Sequence, residues 1–136
     1  MISAVDTSVL IDVFDPHAQF GDASSRALNR AITQGTIVAC EVVWAETAAL
    51  FDKDDAFIRA VSELRLGYSA LDAEAALVVA AMWRQYRKHG GSRDRIIPDF
   101  IVGAHALLQA DRLLTRDRGF YRKYFSKLAI IDPSAE

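Results

Sequence analysis

The sequence predicts an α/β protein, a three-layer α/β/α sandwich in which helices cover both faces of a mainly parallel sheet. Its β-prone runs are short and apolar throughout, without the alternation of polarity that marks a sheet with one wet face. These runs alternate along the chain with longer segments of helical period, the pattern of strands joined by helical crossovers. The length of 136 residues suits one core and leaves too little for two, so 1–136 is read as a single domain.

Ile2 to Val5 is the first apolar run; it stops at Asp6-Thr7-Ser8, and Val9 to Phe14 continues with helical character. A helix around Ser24 to Thr33 ends at Gly35, and Thr36 to Cys40 follows as a buried strand. Glu41 to Phe51 reads as helical. Asp54 to Leu66 is amphipathic, with Phe57, Ile58, Val61 and Leu64 on one face and Gly67 as its stop, and Tyr68 to Leu71 is then a short strand. Asp72 is a good cap for a helix from Ala73 to His89, whose stripe of Ala76, Leu77, Ala80 and Trp83 is expected to point inward before Gly90 ends it. Pro98-Asp99 opens another helix through Ala110, and Arg112 to Thr115 and Leu128 to Ile131 supply the last strands.

Composition narrows the function. Hydrophobic residues make up 51% and charged residues 25%, ordinary for a globular chain and too apolar for a disordered one. The opening Met1 to Phe14 lacks a basic leader and carries Asp6 and Asp12, so export is not expected. The longest apolar run, Ala75 to Trp83, is under half the roughly 20 residues that a membrane-spanning helix requires. A single cysteine, Cys40, builds neither an internal disulfide nor a thiolate zinc site; it is read as a small buried hydrophobe in a cytoplasmic protein. A net charge of −2 argues against binding nucleic acid through bulk positive charge, so any such contact must be local. Basic residues do cluster, at Arg84, Arg87, Lys88, His89, Arg93 and Arg95 and again at Arg112, Arg116, Arg118, Arg122 and Lys123, although a solvated helix face explains such runs equally.

Four carboxylates stand out. Asp6 ends the first strand and Asp117 lies just beyond the strand ending in Thr115; parallel strands bring both to one edge of the sheet, where ligands of such folds gather. Glu46 sits in an otherwise almost uncharged helical segment, where a carboxylate is costly to bury. Asp99 precedes Phe100-Ile101-Val102 and is explained as well by a helix-start role as by a ligand role. Carboxylates brought together repel one another unless a cation is present, and oxygen-only donors select hard ions such as Mg²⁺ or Mn²⁺. Such an ion activates water for attack on a phosphodiester, so no covalent nucleophile is required.

Read together, Val5-Asp6-Thr7-Ser8-Val9-Leu10-Ile11-Asp12, Val43-Trp44-Ala45-Glu46, Pro98-Asp99-Phe100-Ile101-Val102-Gly103-Ala104-His105-Ala106 and Leu114-Thr115-Arg116-Asp117-Arg118-Gly119-Phe120-Tyr121 resemble the motifs of a PIN-domain ribonuclease. More narrowly, the chain resembles a VapC-type toxin of a type II toxin-antitoxin pair, the match running from Met1 almost to Pro133. The resemblance implies a PIN-like sandwich with Asp6, Glu46 and Asp99 as core metal ligands and Asp117 completing the site directly or through water. It implies a Mg²⁺- or Mn²⁺-dependent endoribonuclease that inhibits translation, a VapB-type antitoxin whose tail blocks the groove, and a homodimer. Ser8 and Thr115 would hold carboxylates or bound waters in place, though turn and strand-end roles fit them equally; many relatives carry Asn where this chain has Ser8. Arg93, Arg95, Arg116 and Arg118 are candidate RNA contacts, with surface charge as their plain alternative.

Other readings remain open at this point. A phosphoaspartyl enzyme using Asp6 lacks the second acid two residues on, where Ser8 stands, and has no well-placed lysine. A PIN-type RNA-processing nuclease outside toxin systems, or a module that binds RNA or protein without cutting, shares the same motifs. His17, His89 and His105 fall in no nucleophile motif, and Tyr121, Tyr124 and Phe125 are expected in the core rather than stacked on bases.

Overall fold

Ser3, Ala4 and Val5 are consecutive and all buried, so β1 (Ile2–Val5) is covered on both faces, as its unbroken apolar run predicts. The structure, a computed structural model, describes residues 1–90 and 96–135. Among them β1 is joined by β2 (Thr36–Ala39), β3 (Leu66–Tyr68), β4 (Arg112–Leu114) and β5 (Ile130–Ile131) in one sheet of order β3-β2-β1-β4-β5, with every neighbouring pair parallel. The helices are α1 (Thr7–Phe14), α2 (Gly21–Gln34), α3 (Glu41–Ala48), α4 (Asp54–Leu64), α5 (Ala73–Lys88), α6 (Ile96–Gln109) and α7 (Arg118–Tyr124). They complete the α/β/α sandwich. The strand order reverses between β1 and β4, and the carboxyl ends of strands at such a switch point form a natural ligand crevice.

Several element boundaries differ from the sequence reading. The expected stop of α4 at Gly67 is two residues too late: Arg65, at φ 62° in the left-handed region, ends the helix with its N–H turned to the carbonyls of Val61 and Ser62. A left-handed non-glycine residue costs about 1–2 kcal/mol, and here that cost is offset because Leu66 enters the core and pairs with Ile37. The strand expected at Tyr68 to Leu71 is therefore Leu66–Tyr68. The stripe expected on α5 is also out of register: Ala75 and Val79 are buried, Ala80 and Trp83 half-buried, Ala76 exposed and Leu77 72% exposed. Every residue from Ala75 to Trp83 is apolar, so period alone does not choose the inner face; packing against α6 does. On α4, Phe57 and Val61 point inward but Ile58 is 51% exposed.

Two joints frame the region around Asp99. Asp72 caps α5 through its Oδ1, which accepts the Ala75 N–H at 2.8 Å, and Gly90 follows the far end at φ 80°. On α6, Gly103 lies one turn beyond Asp99, and a Cβ there would fall 2.3 Å from the Phe125 ring, so only glycine lets the end of α7 seat so closely. Phe100, fully buried, packs its ring against Trp83, Tyr86, Phe120, Tyr124 and Phe125 and ties α5, α6 and α7 together beside Asp99.

Candidate active site

Pairing of Val5 with Leu114 sets Asp6 beside Thr115 at the carboxyl edge of the sheet, and the Asp6 N–H continues the ladder by donating to the Leu114 carbonyl at 2.9 Å. Asp6 is the N-cap of α1, and its Oδ1 accepts the Thr7 N–H at 2.8 Å. Its Oδ2 accepts the Thr115 hydroxyl at 2.7 Å. Burial pushes the Asp6 carboxyl up to about 6; the two hydrogen bonds oppose this, and the charges of Asp99 and Glu46 add to it.

Glu46 comes from α3, where the Thr7 hydroxyl donates to its Oε1 at 2.9 Å. It is exposed, so the expected burial cost in an apolar helix does not arise: the carboxylate stands on the rim. Asp99 is half-buried in the first turn of α6. Asp117 occupies the cap position of α7 without a side-chain capping bond, is exposed, and donates its N–H to the Thr115 hydroxyl at 3.0 Å. Thr115 thus holds the Asp6 side chain and the Asp117 backbone at once.

Tyr121 reveals how these groups cluster. Its ring is core, as expected, but its hydroxyl is buried without a hydrogen-bond partner among the described residues. Burial raises its pKa far above the ordinary value, and the charges of Asp6, Asp99 and Asp117 raise it further. Through Asp6 and Tyr121 together, all four acids act on one neighbourhood. An orphaned buried hydroxyl beside acids is a signal that a sequence does not carry.

Among the described residues no three carboxylate, imidazole or thiol side chains are drawn close enough to hold an ion jointly. Both Asp6 oxygens already take protein donors, and Glu46 is turned to Thr7. The donor set nevertheless suits a hard cation: it is all oxygen, it sits at the strand ends, and its central member is held partly protonated by burial and like charge. A cation entering here would relieve the repulsion that keeps the groups apart.

The remaining candidates divide. The Ser8 hydroxyl accepts the Arg116 N–H at 3.3 Å and steadies the loop before Asp117 rather than a carboxylate. Arg116 turns inward: its Nε and one Nη donate to the two oxygens of buried Asp12 at 2.7 and 3.1 Å, and its guanidinium lies 4.9 Å over the Phe20 ring. The Ser24 hydroxyl completes that cluster by donating to Asp12 Oδ2 at 2.8 Å. Asp12, a charge within an apolar helix, was the sequence signal for this anchor. Arg118 faces Asp132 at 3.4 Å, and Arg93 and Arg95 lie outside the described residues. His105 is buried with Nε2 2.9 Å from the Ser69 hydroxyl, and burial lowers its pKa; Cys40 is buried and its thiol pKa raised by the same cause. No described helix is long and apolar enough to cross a membrane.

Comparison with family models matches residues 4–126 to the PIN domain. No curated protein sequence matches the chain. Among solved structures, VapBC2 from Rickettsia felis bound to a promoter DNA fragment contains a chain similar to this one, with TM-score 0.75 and 16% identity over 97% of this chain and 98% of that one. VapBC-1 from nontypeable Haemophilus influenzae gives TM-score 0.72 and 19% identity over 98% and 99%. VapC20 from Mycobacterium tuberculosis, described as a sarcin-ricin loop cleaving toxin, gives TM-score 0.58 and 16% identity over 82% and 86%.

Proposed function

Because the chain belongs to the PIN domain family, we propose that it is a Mg²⁺- or Mn²⁺-dependent endoribonuclease acting as the toxin of a VapBC-type pair. The observation that carries this reading is the gathering of Asp6, Glu46, Asp99 and Asp117, from four separate stretches of chain, at the switch point of a parallel sheet. The similarity to chains in VapBC complexes and to an RNA-cleaving VapC supports the toxin reading, a VapB-type partner and a homodimer.

When bound, a divalent cation supplies positive charge for the phosphate oxygens and lowers the pKa of water. Asp6, Glu46, Asp99 and Asp117 would hold it. Thr115 fixes the Asp6 carboxylate and Thr7 steadies Glu46, so the acids are oriented before substrate arrives. Water attacks phosphorus, the bond to the departing sugar oxygen breaks, and that oxygen takes up a proton. Buried Cys40 takes no part, in keeping with a route that needs no covalent nucleophile.

The test is cleavage of RNA by the purified chain with Mg²⁺ or Mn²⁺, its loss with EDTA, and its loss in folded Asp6→Ala and Asp99→Ala. Equal cleavage by these variants would defeat the nuclease reading. Growth arrest on expressing the chain alone, relieved by a neighbouring small open reading frame, tests the toxin reading; a harmless lone product contradicts it.

A further inference from the structure

A cavity of about 500 Å³ opens between the last turns of α5 and the end of α7, lined by Met82, Gln85, Tyr86 and His89 on one side and Lys123 and Tyr124 on the other. Its size falls within the range of small-ligand sites. The two helices bring together the two basic clusters, which are separated by some thirty residues in the sequence. Exposed Arg84, Arg87 and Lys88 belong to α5 and exposed Arg122 and Lys123 to α7, and none of the five forms an ion pair among the described residues. Neither Met82 to Gly90 nor Arg118 to Phe125 contains an acid, although the chain as a whole is net negative.

We propose that this cleft is a nucleotide subsite for single-stranded RNA, with Lys123 and Arg87 on the phosphates and Tyr86 or Tyr124 against a base. The inference rests on the ribonuclease reading and extends it to where the strand lies. Arg116 and Arg118 are engaged by Asp12 and Asp132, so the described cations left to neutralise a backbone near the site are those of this cleft. Aromatic faces beside a cationic groove suit a single strand, whose unstacked bases accept stacking without sequence preference. Tyr86 and Tyr124 are half-buried and held by Phe100, so they present ordered rings at little entropic cost. His89 Nδ1 lies 2.8 Å from the Gln85 carbonyl, and a proton on Nδ1 would leave Nε2 for a further partner. The cleft also adjoins the chemistry along the chain, since α7 begins directly after Asp117.

The test is binding of a fluorescein-labelled mixed-sequence RNA of about ten nucleotides, followed by anisotropy in the cleavage-deficient Asp99→Asn background. Arg87→Glu combined with Lys123→Glu should weaken binding at least about tenfold and lower the salt dependence by about one unit of slope. Arg26→Glu with Arg59→Glu, exposed cations on α2 and α4 with the same net-charge change, should weaken it less than about threefold. A 4-thiouridine version should crosslink to Tyr86 or Tyr124. Equal effects of the two pairs, or a crosslink confined to another face, would overturn the proposal. So would unchanged RNA binding accompanied by lost binding of polyglutamate, which would assign the cleft to an acidic protein segment. Metal-dependent cleavage indifferent to Arg87 and Lys123 would sink this inference alone, whereas RNA held in the cleft without cleavage by the wild-type chain would sink the nuclease reading alone.

Discussion

The Thr115 hydroxyl donates to Asp6 Oδ2 at 2.7 Å while accepting the Asp117 N–H at 3.0 Å, so one side chain spaces two of the four acids. Thr115→Val keeps the shape but leaves a buried carboxylate oxygen and an N–H without that partner. A loss of about 1–3 kcal/mol is expected from urea unfolding, together with a fall in cleavage rate. Thr115→Ser restores the hydroxyl and should recover most of both.

The pH dependence of the metal-free protein follows from Asp6, whose carboxyl is pushed from 3.8 up to about 6, chiefly by burial. The folded state binds this proton more tightly than the unfolded chain. Its stability contribution is therefore complete below the unfolded pKa and is lost as pH rises through about 6. The difference amounts to about 3 kcal/mol. Denaturation in EDTA should show this decline between about pH 4 and 6 in the wild type and a flatter profile in Asp6→Asn. Mn²⁺ favours the charged form and should recover stability on the alkaline side.

Arg116 anchors the loop that leads to Asp117. Removing one member of its ion pair with Asp12 strands the other charge, and with Arg116 itself 30% exposed the expected cost of Arg116→Ala is about 2–4 kcal/mol. Arg116→Lys should recover only part, since the two-point contact needs a guanidinium. RNA affinity of the folded fraction should stay within about twofold of wild type.

Much of this arrangement was legible from residues alone. The apolar runs around Val5, Ile37 and Leu113 are buried parallel strands, and Asp6 and Asp117 do fall at their carboxyl edge. The inner face of α5 was not legible, because a stretch as uniformly apolar as Ala75 to Trp83 offers overlapping stripes, and only contact with α6 decides that Leu77 faces out. Arg65 ends α4 because the burial of Leu66 outweighs backbone preference, a tertiary effect. The partners of Arg116 and the orphaned Tyr121 hydroxyl depend on residues distant in the chain. The same holds for the meeting of the two basic clusters: each alone reads as a wet helix face.

The central claim is that acids from separate elements converge on a hard cation. Manganese EPR, counting free Mn²⁺ against added protein, addresses it without any substrate. The wild-type chain should bind Mn²⁺ with an affinity that falls at least about tenfold in each of Asp6→Asn and Asp99→Asn, both still folded by circular dichroism. Binding that is absent from the wild type, or unaltered in both variants, would contradict it.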